Sequence, residues 1–234
     1  MNLDREQVRR EKLQPVASSR NPLQFMPVLY AQAIFRPVER TFARAAEYAR
    51  WGLVWFQLLL LLLIPMLLGL LRNAFRDTST GVNAHANIFF GILDILTVGA
   101  TIVALIFKVI TVPLLFFIGV TLQYLLARAL GGRGRYVAHG FDMLLYQVPL
   151  AFIGGVIITV FVALHLSTLF FAPIISLALF CYGIFINISV VMGVHHLNRE
   201  KAIAAVIIPY IIGALAICGL LFLLARYITN AVVH

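Results

Sequence analysis

Apolar residues along this chain gather in blocks of about 20, the length needed to cross a bilayer, rather than in the narrow stripes of a water-soluble domain. Residues 51–71, 141–164, 169–194 and 202–224 are nearly unbroken blocks of this kind. A rise of 1.5 Å per residue carries such a block across a hydrocarbon layer about 30 Å thick, so each predicts a spanning helix. A fifth region, 88–130, is interrupted only by Asp94, Lys108 and Pro113 and is too long for one crossing. It predicts a full span at 109–130 preceded at 88–107 by a re-entrant or interfacial helix, or else two spans with almost no loop. Polar positions mark the connections. Residues 72–87 hold the turn formers Asp77, Ser79, Gly81 and Asn83, and the short segments 128–135 (RALGGRGR) and 195–201 (HHLNREK) separate later blocks.

Ahead of the first block the pattern changes. Residues 1–35 form a basic arm with Arg5, Arg9, Arg10, Lys12 and Arg20, broken by Pro15, Pro22 and Pro27. It is not a secretory signal, because the first long apolar run starts only at Trp51, exceeds a signal core, and has no small-residue cleavage site. From Pro37, which can open a helix, Val38, Phe42, Ala45 and Ala49 recur at helical spacing among Arg36, Glu39, Arg40, Arg44, Glu47 and Arg50. Residues 36–50 therefore predict an amphipathic helix lying in the headgroup layer, running directly into a span anchored by Trp51 and Trp55.

Composition agrees with a polytopic membrane protein. Of 234 residues, 62% are hydrophobic and only 12% charged, too few charges to clothe a soluble globule, and mean hydropathy is +0.98. The net charge of +9 is informative through its placement. Lysine and arginine stay on the cytoplasmic side of short loops. Two spans separate 128–135 from 195–201, and their connection, 165–168, carries no Lys or Arg, so both basic loops fall on one side. If the arm is also cytoplasmic, 51–131 crosses an even number of times, which leaves 88–130 one full span. The expectation is an all-α, polytopic membrane helix bundle of five transmembrane helices plus a re-entrant or interfacial helix, with the N-terminus cytoplasmic. Six spans are the alternative and would export the arm.

Candidate chemistry is sparse. Gly131, Gly132 and Gly134 follow no strand and precede no Gly-Lys-Ser/Thr, so they read as a helix stop with Gly131 left-handed and Arg128 in the last turn, not as a nucleotide cradle. Asp142, near three arginines, reads as a helix-end and ion-pair residue. Charged and polar groups at membrane depth are costly and face a cavity or a partner, which makes Asp94, Lys108, Gln147 and Asn187 the candidate intramembrane polar site of a small permease or channel. Adjacent His195 and His196 point about 100° apart on a helix and would not share a metal. Cys181 and Cys218 both lie in apolar blocks. Neither paired carboxylates nor a nucleophile with a spaced base is present, so no enzyme, cofactor or metal centre is expected. The cations are dispersed among membrane turns, which argues against nucleic acid. Arg36, Arg40, Arg44, Arg50, Arg128, Arg133, Arg135, Arg199 and Lys201 are instead candidates for lipid or partner contact, with anionic headgroups the first choice.

Several motifs in order resemble one family. These are Ile34-Phe-Arg-Pro-Val-Glu-Arg-Thr-Phe42, Arg50-Trp-Gly52, Leu125-Leu-Ala-Arg-Ala-Leu-Gly-Gly-Arg-Gly-Arg135, Tyr146-Gln-Val-Pro149 and His196-Leu-Asn-Arg-Glu-Lys-Ala-Ile203. Over about residues 30–228 the chain resembles bacterial members of the Yip family, integral membrane proteins named for interaction with Ypt/Rab GTPases. The resemblance implies a Yip-type transmembrane domain over 51–228, five helices, a cytoplasmic N-terminus and, for a bacterial member, the inner (plasma) membrane. It further implies a non-catalytic protein that organises or shapes membrane or recruits partners, among them other membrane proteins or further copies of itself. A Rab-type GTPase partner is not carried over, because a short basic arm stands where eukaryotic relatives have a longer cytoplasmic domain.

Overall fold

In lipid every backbone polar group must be satisfied within its own segment, which leaves apolar blocks like these only the helix. The computed structural model describes residues 22–77 and 88–233, with side chains at 23–72, 103 and 106–227, and among the described residues the chain is helical with no strand. A 3-10 turn at Pro22–Phe25 leads into α1 (Met26–Phe35), followed by α2 (Glu39–Ala45) and a second 3-10 turn at Ala46–Tyr48. Five long helices follow: α3 (Trp51–Asp77), α4 (Ile88–Ala129), α5 (Tyr136–Ala163), α6 (Thr168–His195) and α7 (Arg199–Val233). Each contains a stretch long and apolar enough to cross a membrane: Trp51–Arg72, Ile106–Ala129, Tyr136–Ala163, Thr168–His195 and Arg199–Tyr227. Pro65, Pro113, Pro149, Pro173 and Pro209 all lie within these helices without ending them.

The 88–107 segment, expected to be re-entrant, interfacial or an extra span, is helical. Its backbone continues as one helix through Lys108 and Pro113 to Ala129, with no reversal, and the spanning stretch begins at Ile106.

Helix α5 is the hub, packing against α1, α2, α3, α4 and α6, with α3 its most extensive neighbour. Phe141, Leu144 and Leu145 of α5 are buried with Val54 and Leu58 of α3, Val120 of α4 and Ile186 and Val190 of α6. By contrast α7 buries only its beginning, where Ala202, Ala205 and Val206 pack with Ala127 and Val191. Beyond Pro209 its apolar side chains face outward, Leu215 at 68% exposure and Phe222 at 68%. Such exposure costs little in a bilayer, since lipid tails are as apolar as leucine.

The segment before the first span is built into this bundle. Helix α1 buries Met26, Ala33 and Ile34, and the Tyr182 hydroxyl of α6 donates to the Ile34 carbonyl. No motif in the arm had singled out that helix. In α2 the expected apolar stripe is present, but Phe42, Ala45 and the following Ala49 are buried against protein, leaving only Val38, at 53% exposed, to face outward. The stripe is satisfied by α6, not by acyl chains, because Gly193 opens a seat for it. A Cβ at Gly193 would stand 2.4 Å from the Glu39 carbonyl oxygen and 3.1 Å from the Ala43 nitrogen.

Candidate functional site

Three basic segments, distant in sequence, meet at one end of the bundle. Helix α4 closes with a Schellman turn: Gly132 N–H donates to the Ala127 carbonyl at 2.8 Å, Gly131 N–H to Arg128 at 3.0 Å, and Gly131 takes φ +96°. The expected left-handed glycine stop is therefore in place. Leaving that turn, Arg133 N–H donates to the His195 carbonyl at 3.2 Å, and the Arg135 guanidinium donates to the Ala46 carbonyl at 3.0 Å. The first bond joins the α4–α5 turn to the end of α6, and the second joins it to the chain entering α3. The α6–α7 turn completes the group. His196 ends α6 with φ 54°, and Asn198 caps α7 by accepting the Lys201 N–H at 3.2 Å. Around this end Arg36, Arg40, Arg44, Arg50, Arg128, Arg133, Arg135, Arg199 and Lys201 are all exposed.

Beneath the exposed cations lies a buried polar layer. The rings of His139 and His195 are 5.1 Å apart, Tyr124 stands 5.6 Å from His195 and 5.3 Å from Tyr136, and the Arg128 guanidinium lies 5.7 Å from the Tyr124 ring. Thr121 and Tyr136 share a hydrogen bond at 3.0 Å. Close approach of the turn is possible only because of its glycines. A Cβ at Gly132 would meet His195 Cβ and Nδ1 at 2.9 Å, and one at Gly134 would meet the Val194 carbonyl at 2.7 Å. Asp142 follows His139 by three residues and so shares its helix face.

His139, Asp142 and Gln57 of α3 are all fully buried, and neither their side-chain polar atoms nor the ring nitrogens of His195 find a hydrogen-bond partner among the described residues. The Asp142 expectation is corrected: α5 begins at Tyr136, placing the carboxylate two turns inside the helix, buried and without the ion pair its neighbouring arginines suggested. His139 and Gln57 were missed by motif. Their signal was simply a polar residue inside an apolar run, which is expensive at membrane depth.

The candidate intramembrane polar residues have varied surroundings. The Asp94 side chain lies outside the described residues, Lys108 is exposed, and Gln147 is half-buried. Asn187 is buried but donates to Gln123 Oε1 at 3.2 Å, an ordinary interhelical bond between α6 and α4. Cys181 and Cys218 are both exposed free thiols. Among the described residues no three His, Cys, Asp or Glu side chains come together as a metal-ligand set.

A family model described as the Yip1 domain matches residues 31–221, from the middle of α1 to well inside α7. Neither a curated protein nor a solved structure matches the chain.

Proposed function

The chain belongs to the Yip1 domain family, and from that premise we propose that this integral membrane protein is a non-catalytic organiser of membrane, acting through a basic rim at one end of its bundle. The observation that carries this reading is the convergence of α2, the α4–α5 turn and the α6–α7 turn through the Arg135–Ala46 and Arg133–His195 hydrogen bonds. These contacts hold exposed arginines from three parts of the chain on one rim, which belongs on the cytoplasmic side because short loops rich in Lys and Arg stay there. A juxtamembrane cation near an anionic leaflet contributes about 1 kcal/mol, so several acting together concentrate anionic lipid around the protein. The outward apolar surface of α7 supplies a face for other membrane proteins or for a second copy. Permease chemistry is less favoured, with Lys108 exposed and Asn187 engaged by Gln123.

Energy transfer from Trp51 and Trp55 to a fluorescent anionic lipid in proteoliposomes tests the rim. Enrichment of that lipid over a zwitterionic analogue is expected, declining with salt as the Debye length shortens and abolished when Arg36, Arg44, Arg50, Arg128 and Arg133 are changed together to Gln. Equal transfer from both lipids in the native protein refutes the reading.

A further inference from the structure

Where α2 leans on α6, two adjoining cavities of about 580 and 520 Å³ open between them and the start of α7, and they share Glu39, Arg40 and Met192 in their walls. Their volumes fall in the range of small-ligand sites. Their polarity is graded. The first is walled by Phe185, Ile188 and Ile203, whereas the second reaches His196 and Asn198 at the end of α6. Phe185, Ile188, Met192 and His196 follow one another at helical spacing along a single face of α6, so the groove runs for about 16 Å from an apolar floor to a polar mouth.

We propose that this groove binds one molecule of an anionic glycerophospholipid, with an acyl chain along Phe185, Ile188 and Ile203 and the phosphodiester between Arg40 and Arg199. Both arginines line the first cavity and are exposed, and they come from different elements, so a phosphate between them is contacted from two sides. Arg199 is also the first residue of α7, where the helix dipole adds to the attraction for an anion. Glu39 stands in the same wall with the opposite sign. Two guanidinium groups against one carboxylate leave a single positive excess, which suits a monoanionic phosphodiester better than a zwitterionic headgroup. The order of the walls is that of a lipid at the interface, hydrocarbon below and phosphate above.

This proposal deepens the lipid reading above and rests on it, but its test is separate. The full chain is reconstituted in nanodiscs holding equal phosphatidylglycerol and phosphatidylcholine, extracted in mild detergent, and weighed by native mass spectrometry. Retention of about one phosphatidylglycerol per protein is expected. The Arg40→Gln/Arg199→Gln variant is expected to lose at least fivefold of that retention, and Ile188→Trp, which fills the apolar floor while keeping both arginines, to lose a similar share. Arg44→Gln/Arg50→Gln, which lies outside the groove, is expected to retain it. Equal retention of phosphatidylcholine, no loss in either groove variant, or the same loss in the Arg44/Arg50 variant would overturn the proposal, the last by reducing it to diffuse surface charge. If the double arginine variant does not fold, Arg199→Gln alone and Ile188→Trp are each expected to lose the lipid, and full retention in both overturns the proposal equally. A protein that retains this one lipid yet shows no rim enrichment by energy transfer would sink the rim and leave the groove standing.

Discussion

Helices α5 and α7 are each apolar enough to cross a membrane, yet the first three turns of α5 and the outer half of α7 live in opposite surroundings. From Ala138 to Tyr146 every residue of α5 is buried, while from Leu215 to Tyr227 every residue of α7 is exposed. Apolarity of the helix as a whole does not decide this, because in a bilayer an apolar side chain is equally at home against lipid or protein. What separates them is what else they carry. The α5 stretch holds His139, Gly140 and Asp142 and faces the glycine turn, and small or polar groups permit and reward close packing. The α7 stretch has Gly219, with Gly213 just before it, but among the described residues nothing lies within 4 Å of a Cβ placed at either. Glycine by itself therefore does not mark a helix contact.

Truncation puts the largest expected effect on this contrast. Leu144→Ala, at a fully buried site, is expected to cost about 2–5 kcal/mol, whereas Leu215→Ala, 68% exposed, should leave stability nearly unchanged because lipid fills the space. Unfolding in mixed micelles followed by the fluorescence of Trp51 and Trp55 measures both. Equal costs would break the comparison.

Adding one methyl group is a finer probe. Gly193→Ala drives a Cβ into the α2 backbone and is expected to cost about 1–3 kcal/mol and to make α2 susceptible to protease after Arg40 and Arg44. The same change at Gly213 meets open space and should stabilise its helix by up to about 1 kcal/mol. A proteolysis pattern identical to that of the native protein would show that α2 does not depend on the Gly193 seat.

The smallest effect concerns the interhelical hydrogen bond. A double-mutant cycle replacing Gln123 and Asn187 with Leu is expected to return a coupling of about 0.6 kcal/mol, the usual scale for such bonds in a bilayer. A value above about 2 kcal/mol would mean that this pair belongs to a larger network than the 3.2 Å contact alone.

The five spans were legible in the sequence because length and apolarity are local and the bilayer sets the length required. So was the end of α4, where Gly131 follows a helix and takes the left-handed geometry that glycine tolerates best. The amphipathic stripe of 36–50 was legible as a stripe but not in its destination. Phe42 would satisfy the same pattern against lipid or against α6, and only the gap at Gly193 decides between them. Helix α1 and the buried His139 and Gln57 escaped for a related reason: their surroundings are built from helices far away in the chain.

By itself the sequence determined which blocks could cross, with five spans preferred over six, and that Arg and Lys cluster in three separated segments. Those are properties of contiguous stretches, governed by the length and polarity of each one. The tertiary structure decided that the three segments share one end, that α2 turns its apolar side to protein, and that Arg40 and Arg199 line one cavity. Contacts of that kind depend on whether backbones can come close, and that is settled by the missing side chains at Gly132, Gly134 and Gly193 together with the partners that face them.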